Sequence, residues 1–388
     1  MLILVVSTVL CILGLVIVTI LHNQGWLDIT VEPADAPAEA PLISVIVPAR
    51  NEERNIRQCV EALLAQTYPH FELIVLDDRS TDATPRLLAE LAERDSRLQV
   101  LQGEELPAGW AGKPHALDQA SRSAQGEWLC FVDADTFVGP AALASVYLSA
   151  RDHSADMFSI FTRQELGTFW EKAILPLVFT ALSVGFSPRR VNDPAKKDAI
   201  ANGQFIFIRR KVYEAVGGHA AIKESIVEDR DLAALVKRAG YRLVLADGSA
   251  VASTRMYTSL PEMWEGWTKN IFLGLKGRAG LLLLGAFGAF LAVFVALLLP
   301  AWLLGGLAWW VGGGGNPAVA VAAEAAVLWG YLVFWRVLAC RKMDISGWYA
   351  LSTPLGAGIF AAMMVASAWK VLSGRGVTWK GRRYPPNG

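Results

Sequence analysis

Cysteine is scarce: Cys11, Cys59, Cys130 and Cys340 lie far apart, with no paired spacing. They make neither a zinc knuckle nor a disulfide framework, and isolated cysteines suit a reducing compartment. Five scattered histidines add no metal cluster. Charge is also thin, at 19% of 388 residues against 53% hydrophobic, whereas soluble globular chains carry about a quarter charged residues. Neither sign is in excess, since 36 Lys and Arg balance 36 Asp and Glu. That balance excludes nucleic acid as a partner bound by general charge attraction, which needs a strong basic surplus. A disulfide-stapled secreted domain, a zinc protein and a disordered chain fall with these shortages.

What is abundant is apolar sequence, and it sits at the two ends. Residues 2–21, LILVVSTVLCILGLVIVTIL, carry no charge, and about 20 such residues cross a bilayer as a helix. A cleaved signal peptide would want a basic start and a shorter apolar core. Met1-Leu2-Ile3 supplies no basic start, so residues 1–22 read as a retained anchor. Residues 23–41 follow as a Pro/Ala-rich linker, acidic at Asp28, Glu32, Asp35 and Glu39, expected to be an exposed tether. Beyond Gly280, residues 281–311, 318–335 and 348–369 are almost uncharged and Trp-rich, with breaks at 312–317 and 336–347. Three membrane segments are expected within 279–370, ahead of a basic tail at 371–388. Basic residues favour the cytoplasmic side. Arg336, Arg341 and Lys342 claim it for the last loop, and Lys370, Arg375, Lys380, Arg382 and Arg383 claim it for the tail. One crossing separates the two, so both are cytoplasmic only if a segment is re-entrant or interfacial; Tyr349 to Gly356 could break such a helix. The expectation is a multi-pass protein of the cell (inner) membrane with its central domain in the cytoplasm.

That domain, residues 42–278, has the composition of a soluble protein. Short apolar strands (LISVIVPA, FELIVLDD, EWLCFVDAD, QFIFIRR) alternate with helical patterns (IRQCVEALLAQ, TPRLLAELAER). Such alternation predicts an α/β fold with a largely parallel sheet covered by helices.

Four clusters in it carry chemistry. The first, Val45-Ile46-Val47-Pro48-Ala49-Arg50-Asn51-Glu52-Glu53, is an apolar strand running into a polar turn and then a helix. Open α/β sheets bind ligands outside the carboxyl ends of their strands, so residues 48–52 stand where a ligand would. An ordinary loop capped by Asn51 is the plainer reading. The second, Leu73-Ile74-Val75-Leu76-Asp77-Asp78-Arg79-Ser80-Thr81-Asp82-Ala83-Thr84, again ends a buried strand in carboxylates. A carboxylate here can accept from a base N–H or a ribose hydroxyl. Helix capping accounts for Asp82 and Thr84 and less well for the adjacent Asp77 and Asp78.

In the third cluster, Trp128-Leu129-Cys130-Phe131-Val132-Asp133-Ala134-Asp135, strand periodicity points Asp133 and Asp135 to one side. Two such carboxylates repel unless a cation lies near, and hard oxygen ligands favour Mg2+ or Mn2+ shared with substrate phosphates. The pattern is common by chance and gains weight from following two earlier strand-end sites. The fourth, Ser225-Ile226-Val227-Glu228-Asp229-Arg230-Asp231-Leu232-Ala233, opens a helix. The helix dipole favours acidic side chains there, which accounts for Asp231. Glu228-Asp229 could in addition supply a general base for an attacking hydroxyl.

In this order and spacing the clusters closely resemble family 2 glycosyltransferases of the GT-A fold, over residues 42–255. The resemblance implies a Rossmann-like nucleotide-diphospho-sugar transferase domain with a mostly parallel sheet, here flanked by N- and C-terminal transmembrane helices. It implies that Pro48, Arg50, Asn51, Glu52 and Asp78 contact the nucleoside and that Lys113, in Gly112-Lys113-Pro114-His115-Ala116-Leu117, reaches the nucleotide. Asp133 and Asp135 take the nucleotide–metal positions, with Mg2+ or Mn2+ as cofactor. Asp229 takes that of the catalytic base, with Glu228 beside it. Asn202-Gly203-Gln204 and His219, in Gly217-Gly218-His219, border the acceptor side. Trp264 and Trp267 are read as acceptor-side residues suited to a membrane interface, although Trp in apolar segments is as often plain packing.

The whole chain looks like hopene-associated and carotenoid (diaponeurosporenoate-type) glycosyltransferases, including the tail Gly376-Val377-Thr378-Trp379-Lys380-Gly381-Arg382. It departs from processive cellulose- or chitin-type synthases, whose Gln-x-x-Arg-Trp motif gives way here to Trp264-Glu265-Gly266-Trp267-Thr268-Lys269-Asn270. The resemblance thus implies inverting, metal-dependent transfer of one sugar from a nucleotide-sugar, with a leaning to UDP-sugar, to a membrane lipid or terpenoid. A carboxyl acceptor would need no base beyond its own ionisation. A processive polysaccharide synthase or polyprenyl-phosphate glycosyltransferase is the alternative. A non-catalytic membrane scaffold would be expected to have lost Asp133, Asp135 or Asp229.

Overall fold

Alternating apolar residues set the layers of the central domain. In strand β1 (Ile43–Ala49), Ile43, Val45 and Val47 face one way and Ile46 the other, all fully buried. The first set packs on helices α1 (Ile56–Leu64) and α2 (Thr84–Ala92). Ile46, with Ile74 and Leu76 of β2 (Phe71–Asp77), packs on α3 (Gly112–Ser123). The remaining strands are β3 (Leu98–Gln102), β4 (Trp128–Val132), β5 (Thr136–Val138), β6 (Met157–Phe161), β7 (Arg163–Gln164), β8 (Phe205–Arg209), β9 (Leu243–Asp247) and β10 (Ala252–Thr254). Between them lie α4 (Ala142–Asp152), α5 (Phe169–Gly185), α6 (Pro188–Asn192), α7 (Arg210–Ala215) and α8 (Glu228–Arg238). The computed structural model describes residues 12, 27–185, 187–274, 279–373, 377–379 and 382–384. All but one residue of the expected anchor, and Arg375 and Lys380 of the tail, lie outside the described residues.

The main sheet has seven strands in the order β3-β2-β1-β4-β8-β6-β9. Only β8 runs against its neighbours β4 and β6; the other pairings are parallel. This is an α/β fold with a mostly parallel sheet. Trp128 at the start of β4 stacks on Phe207 of β8, with centroids 4.5 Å apart and planes at 5°. The Arg209 guanidinium covers the Trp128 ring at 4.4 Å. A second, small sheet in the order β5-β10-β7 props the chain just after Asp135.

The linker departs from the expected exposed tether. Val31 is fully buried, its N–H donates to Asp247 O at 2.8 Å, and Asp247 N–H donates to Ile29 O at 2.8 Å. Ala34 N–H donates to Ser145 Oγ at 2.9 Å. The reason is the sheet edge: β9 ends the main sheet, and unpaired edge backbone seeks partners.

After the domain come α9 (Leu260–Gly274), α10 (Ala279–Val311), α11 (Gly315–Lys342) and α12 (Thr353–Leu372), then a hairpin of β11 (Val377–Trp379) and β12 (Arg382–Tyr384). Among the described residues, two segments, Gly315–Lys342 and Gly347–Lys370, are long and apolar enough to cross a membrane. The second break begins later than expected, because α11 continues through Arg336 to Lys342. Arg336 is buried and donates Nη2 to Ala173 O at 3.2 Å, so its charge faces protein and need not end the helix. The Tyr349–Gly356 stretch does change backbone: a 3-10 turn spans Gly347–Ser352 before α12 begins.

A third apolar cluster joins domain to apolar helices, through Ala173 and Ile174 of α5, Met263 and Trp267 of α9, and Met363 of α12. There α12 crosses α5 so closely that a Cβ on Gly356 would overlap Ala173 O. Gly356→Ala is therefore expected to cost about 1–3 kcal/mol as overpacking and to lower the melting temperature in detergent. Gly358→Ala is the control, because a Cβ there meets only Val293 Cγ2, at 3.9 Å. Equal melting temperatures for the two variants would contradict this packing.

Candidate active site

Backbone and side chains of the first two clusters lock each other. Asn51, with φ of 54°, donates its N–H to Ser80 Oγ at 2.9 Å and accepts Thr81 N–H on Oδ1 at 2.8 Å. Glu52 N–H donates to Thr84 Oγ1 at 2.8 Å, and Glu53 N–H to Asp82 Oδ2 at 3.1 Å. Arg50 reaches across, donating Nη1 to Asp78 O at 2.6 Å, and lines an open groove with Arg79, Thr81, Glu105 and Leu106. Asp77 is buried and accepts Ser80 N–H at 3.2 Å, so it shapes the loop from beneath. Asp78 is likewise buried, at the mouth between β1 and β2.

The strand reading of the third cluster does not hold. β4 stops at Val132, and Asp133 to Asp135 form a turn in which Thr136 N–H donates to Asp133 O at 3.0 Å. Alternation along a strand therefore says nothing about the two carboxylates. Both nonetheless act on the buried Cys59 thiol, whose pKa is pushed up by burial first and then by the charges of Asp135, Glu52 and Asp133. Asp135 also raises the buried Tyr257 hydroxyl, again second to burial.

Lys113, in the first turn of α3, joins the third cluster to the fourth. Its Nζ lies 2.7 Å from Asp133 Oδ1 and 2.7 Å from Glu228 Oε1. Burial alone would lower the Lys113 pKa, but the two carboxylates reverse that and hold it well above the usual lysine range. Burial raises Asp133 despite Lys113, while Lys113 outweighs burial at Glu228 and lowers it, helped by Lys269. Asp229 follows at the start of α8: Oδ2 accepts Gly203 N–H at 3.0 Å and Oδ1 accepts Arg230 N–H at 2.7 Å. Burial and then the Glu228 charge push Asp229 up to about 6. Asp231 is engaged elsewhere, accepting Ser225 Oγ at 2.9 Å and Arg230 Nη2 at 2.9 Å.

Gly203 is glycine for space: a Cβ would stand 3.1 Å from Asp229 Oδ2 and 3.4 Å from Lys113 Nζ. Pro48, Lys113, Asp133, Gly203, His219 and Glu228 line one small cleft. His219 is thus part of the charged cleft. It is 1% exposed, with Nδ1 at 2.8 Å from Tyr213 OH, and burial lowers its pKa to about 4, which keeps it neutral.

Other residues read as acceptor-side are engaged by the protein itself, Gln204 and Trp267 being buried and Asn202 and Trp264 partly so. Gln204 is 3% exposed and accepts Thr162 Oγ1 at 2.5 Å. Asn202 donates Nδ2 to Ile160 O at 2.9 Å. Trp267 is 5% exposed and packs edge-on to Phe179, while Trp264 lies half-buried against the same cluster. Both tryptophans anchor α9 to α5. Lys269, unremarked in the sequence reading, is a cation acting on Glu228 from α9; its sole signal was its place in the stretch that replaces Gln-x-x-Arg-Trp.

The carboxylates fit a divalent cation in part. Asp133 and Asp135 offer hard oxygens at the carboxyl end of β4. Among the described residues no group of three or more His, Cys, Asp or Glu gathers to hold a metal. Such a set suits a cation shared with a diphosphate better than one caged by protein.

Residues 44–217 match the family described as Glycosyl transferase family 2. A beta-monoglucosyldiacylglycerol synthase of Nostoc sp. is 31% identical over 207 residues, which are 50% of this chain and 40% of that protein. The chain thus spans well under half the length of that relative. A 4,4'-diaponeurosporenoate glycosyltransferase of Staphylococcus aureus is 26% identical over 350 residues, 88% of each chain. Among solved structures, a mannosyltransferase from Pyrobaculum calidifontis in complex with GDP-Man and Mn2+ superposes with a TM-score of 0.50. Its identity is 20%, over 95% of this chain and 97% of that one. At that identity the likeness is one of fold.

Proposed function

We propose that this chain, whose residues 44–217 match the family described as Glycosyl transferase family 2, is an inverting glycosyltransferase that moves one sugar from a nucleotide-sugar, a UDP-sugar by preference, to a membrane lipid or terpenoid. The observation that carries the reading is the charge cluster in which Lys113 bridges Asp133 and Glu228 beside Asp229. It brings together groups from three distant stretches of chain at the carboxyl ends of β1 and β4, where α/β sheets bind ligands. The relatives' names support an amphiphilic acceptor, one naming a diacylglycerol product and the other a carotenoid acid.

In this mechanism the groove lined by Arg50, beside Asp78, takes the nucleoside, and Lys113 sits where the diphosphate enters. Mg2+ or Mn2+ held by Asp133, Asp135 and the diphosphate would supply neutralisation of the leaving group's charge. Asp229 accepts the proton of the acceptor hydroxyl. The freed oxygen attacks the anomeric carbon from the face opposite the diphosphate, and the old C–O bond breaks with its electron pair leaving on the nucleoside diphosphate. One displacement inverts the anomeric centre. Burial and the Glu228 charge keep the Asp229 pKa raised, as suits a base, while Lys113 keeps Glu228 ionised beside it.

The apolar helices would keep this cleft at the head-group plane of the inner membrane, facing the cytoplasm. Arg341 and Lys342 in the last turn of α11 support that side. Incubating membranes with a panel of labelled UDP- and GDP-sugars, then extracting lipid, tests the reading. One labelled lipid carrying one sugar is expected. A labelled polymer, or no lipid label with any donor, would overturn it.

A further inference from the structure

Asn202, Gly203 and Gln204 are clamped by a buried polar network whose direction follows from counting protons. Thr162 Oγ1 donates its one proton to Gln204 Oε1 at 2.5 Å. Its 3.0 Å contact with Thr254 Oγ1 must then be donated by Thr254. Thr254 has no second proton, so the 3.1 Å contact with Thr136 Oγ1 is donated by Thr136. The chain Thr136 → Thr254 → Thr162 → Gln204 thus runs from the residue after Asp135 to the residue after Gly203. All four are at most 5% exposed, and hydrogen bonds aligned in series strengthen one another. On the Gln204 oxygen converge two more donors, Asn202 Nδ2 at 3.1 Å and Gln164 Nε2 at 3.2 Å. Asn202 is held from behind, its N–H donating to Ser159 Oγ at 2.9 Å and its Nδ2 to Ile160 O. Gln204 O in turn accepts Asp133 N–H at 3.2 Å.

Between these two clamped amides stands Gly203, whose N–H is the donor to Asp229 Oδ2. We propose that Gln204, with Asn202 and Thr162, is a positioning residue of the transfer reaction. It fixes Gly203 N–H against the Asp229 carboxylate and ties that contact to the turn that carries Asp133 and Asp135. Base and donor-side turn thereby share one rigid support, so the proton acceptor keeps its place relative to the sugar. This rests on Asp229 being the base, and it replaces contact with the acceptor as the role of Gln204.

The test compares single-turnover rate, donor Kd and acceptor KM in the full-length protein. Gln204→Leu removes the converging oxygen, and the rate is expected to fall about 10- to 100-fold, the scale of a misplaced catalytic group. Thr162→Val, nearly isosteric, is expected to lose about tenfold, whereas Thr162→Ser keeps the hydroxyl and should stay within about threefold of wild type. Donor Kd and acceptor KM should hold in every case. If Gln204→Leu does not accumulate, the Thr162 pair decides alone. A raised acceptor KM with unchanged rate would return Gln204 to the acceptor and overturn the proposal. So would wild-type rates in both Gln204→Leu and Thr162→Val while Asp229→Asn is slow. If Asp229→Asn itself keeps its rate, the parent reading of the base has failed instead.

Discussion

Asp229→Asn is expected to slow transfer to a hydroxyl acceptor by about two to four orders of magnitude, the usual worth of a general base. Asn keeps the size of the side chain and can still accept Gly203 N–H, but it no longer takes a proton. Donor affinity should stay within about threefold, since a lost donor hydrogen bond would weaken binding more than that. Asp231→Asn is the control: its carboxylate serves Ser225 and Arg230, so it should leave the rate near wild type. Single-turnover rates beside calorimetric donor Kd decide. A dead Asp231→Asn with a normal Asp229→Asn would mean the wrong carboxylate has been named. Joint loss of rate and donor binding in Asp229→Asn would make its role donor-side. The same group sets a pH signature. A base must be deprotonated to work, and Asp229 is raised to about 6 by burial and Glu228. The rate should therefore fall as pH drops through that region, above where an ordinary carboxylate would titrate.

Asp135→Asn is the second large effect. It is expected to abolish transfer and weaken nucleotide-sugar binding while the protein still folds. In calorimetry, Mn2+ or Mg2+ should tighten donor binding to wild type and leave the variant unchanged. Chelator should reproduce the variant's behaviour, with either metal restoring it. Donor affinity indifferent to metal in both proteins would remove Asp135 from that role.

The four clusters were legible because each follows a strong local pattern. Ile43, Val45 and Val47 alternate, Asp77 and Asp78 end an unbroken apolar run, and Glu228 to Asp231 crowd a helix start. Local pattern also set the limit. Strand parity reaches Asp135 only by running three residues beyond the end of β4, where the backbone already turns, so it says nothing about how Asp133 and Asp135 are placed. The linker looked exposed because its composition is acidic and Pro-rich, yet Val31 is drawn under by the open edge of β9. Strands β5, β7 and β10 are two or three residues long, too short for any periodicity, and so the threonine relay on and beside them left no trace in sequence. Lys113 was placed by its motif, but its bridge to Glu228 spans more than a hundred residues of chain, which only the fold brings together. Trp264 and Trp267 have the composition of a membrane interface, and their burial against α5 depends on where α9 returns.

The most direct measurement is mass spectrometry of lipid extracts from cells expressing wild type, Asp229→Asn or no protein. The account predicts one lipid family heavier by a single sugar residue, present with wild type alone and matched to the labelled product formed in membranes. Identical lipid profiles in all three, or a ladder of increasing sugar number with wild type, would contradict it.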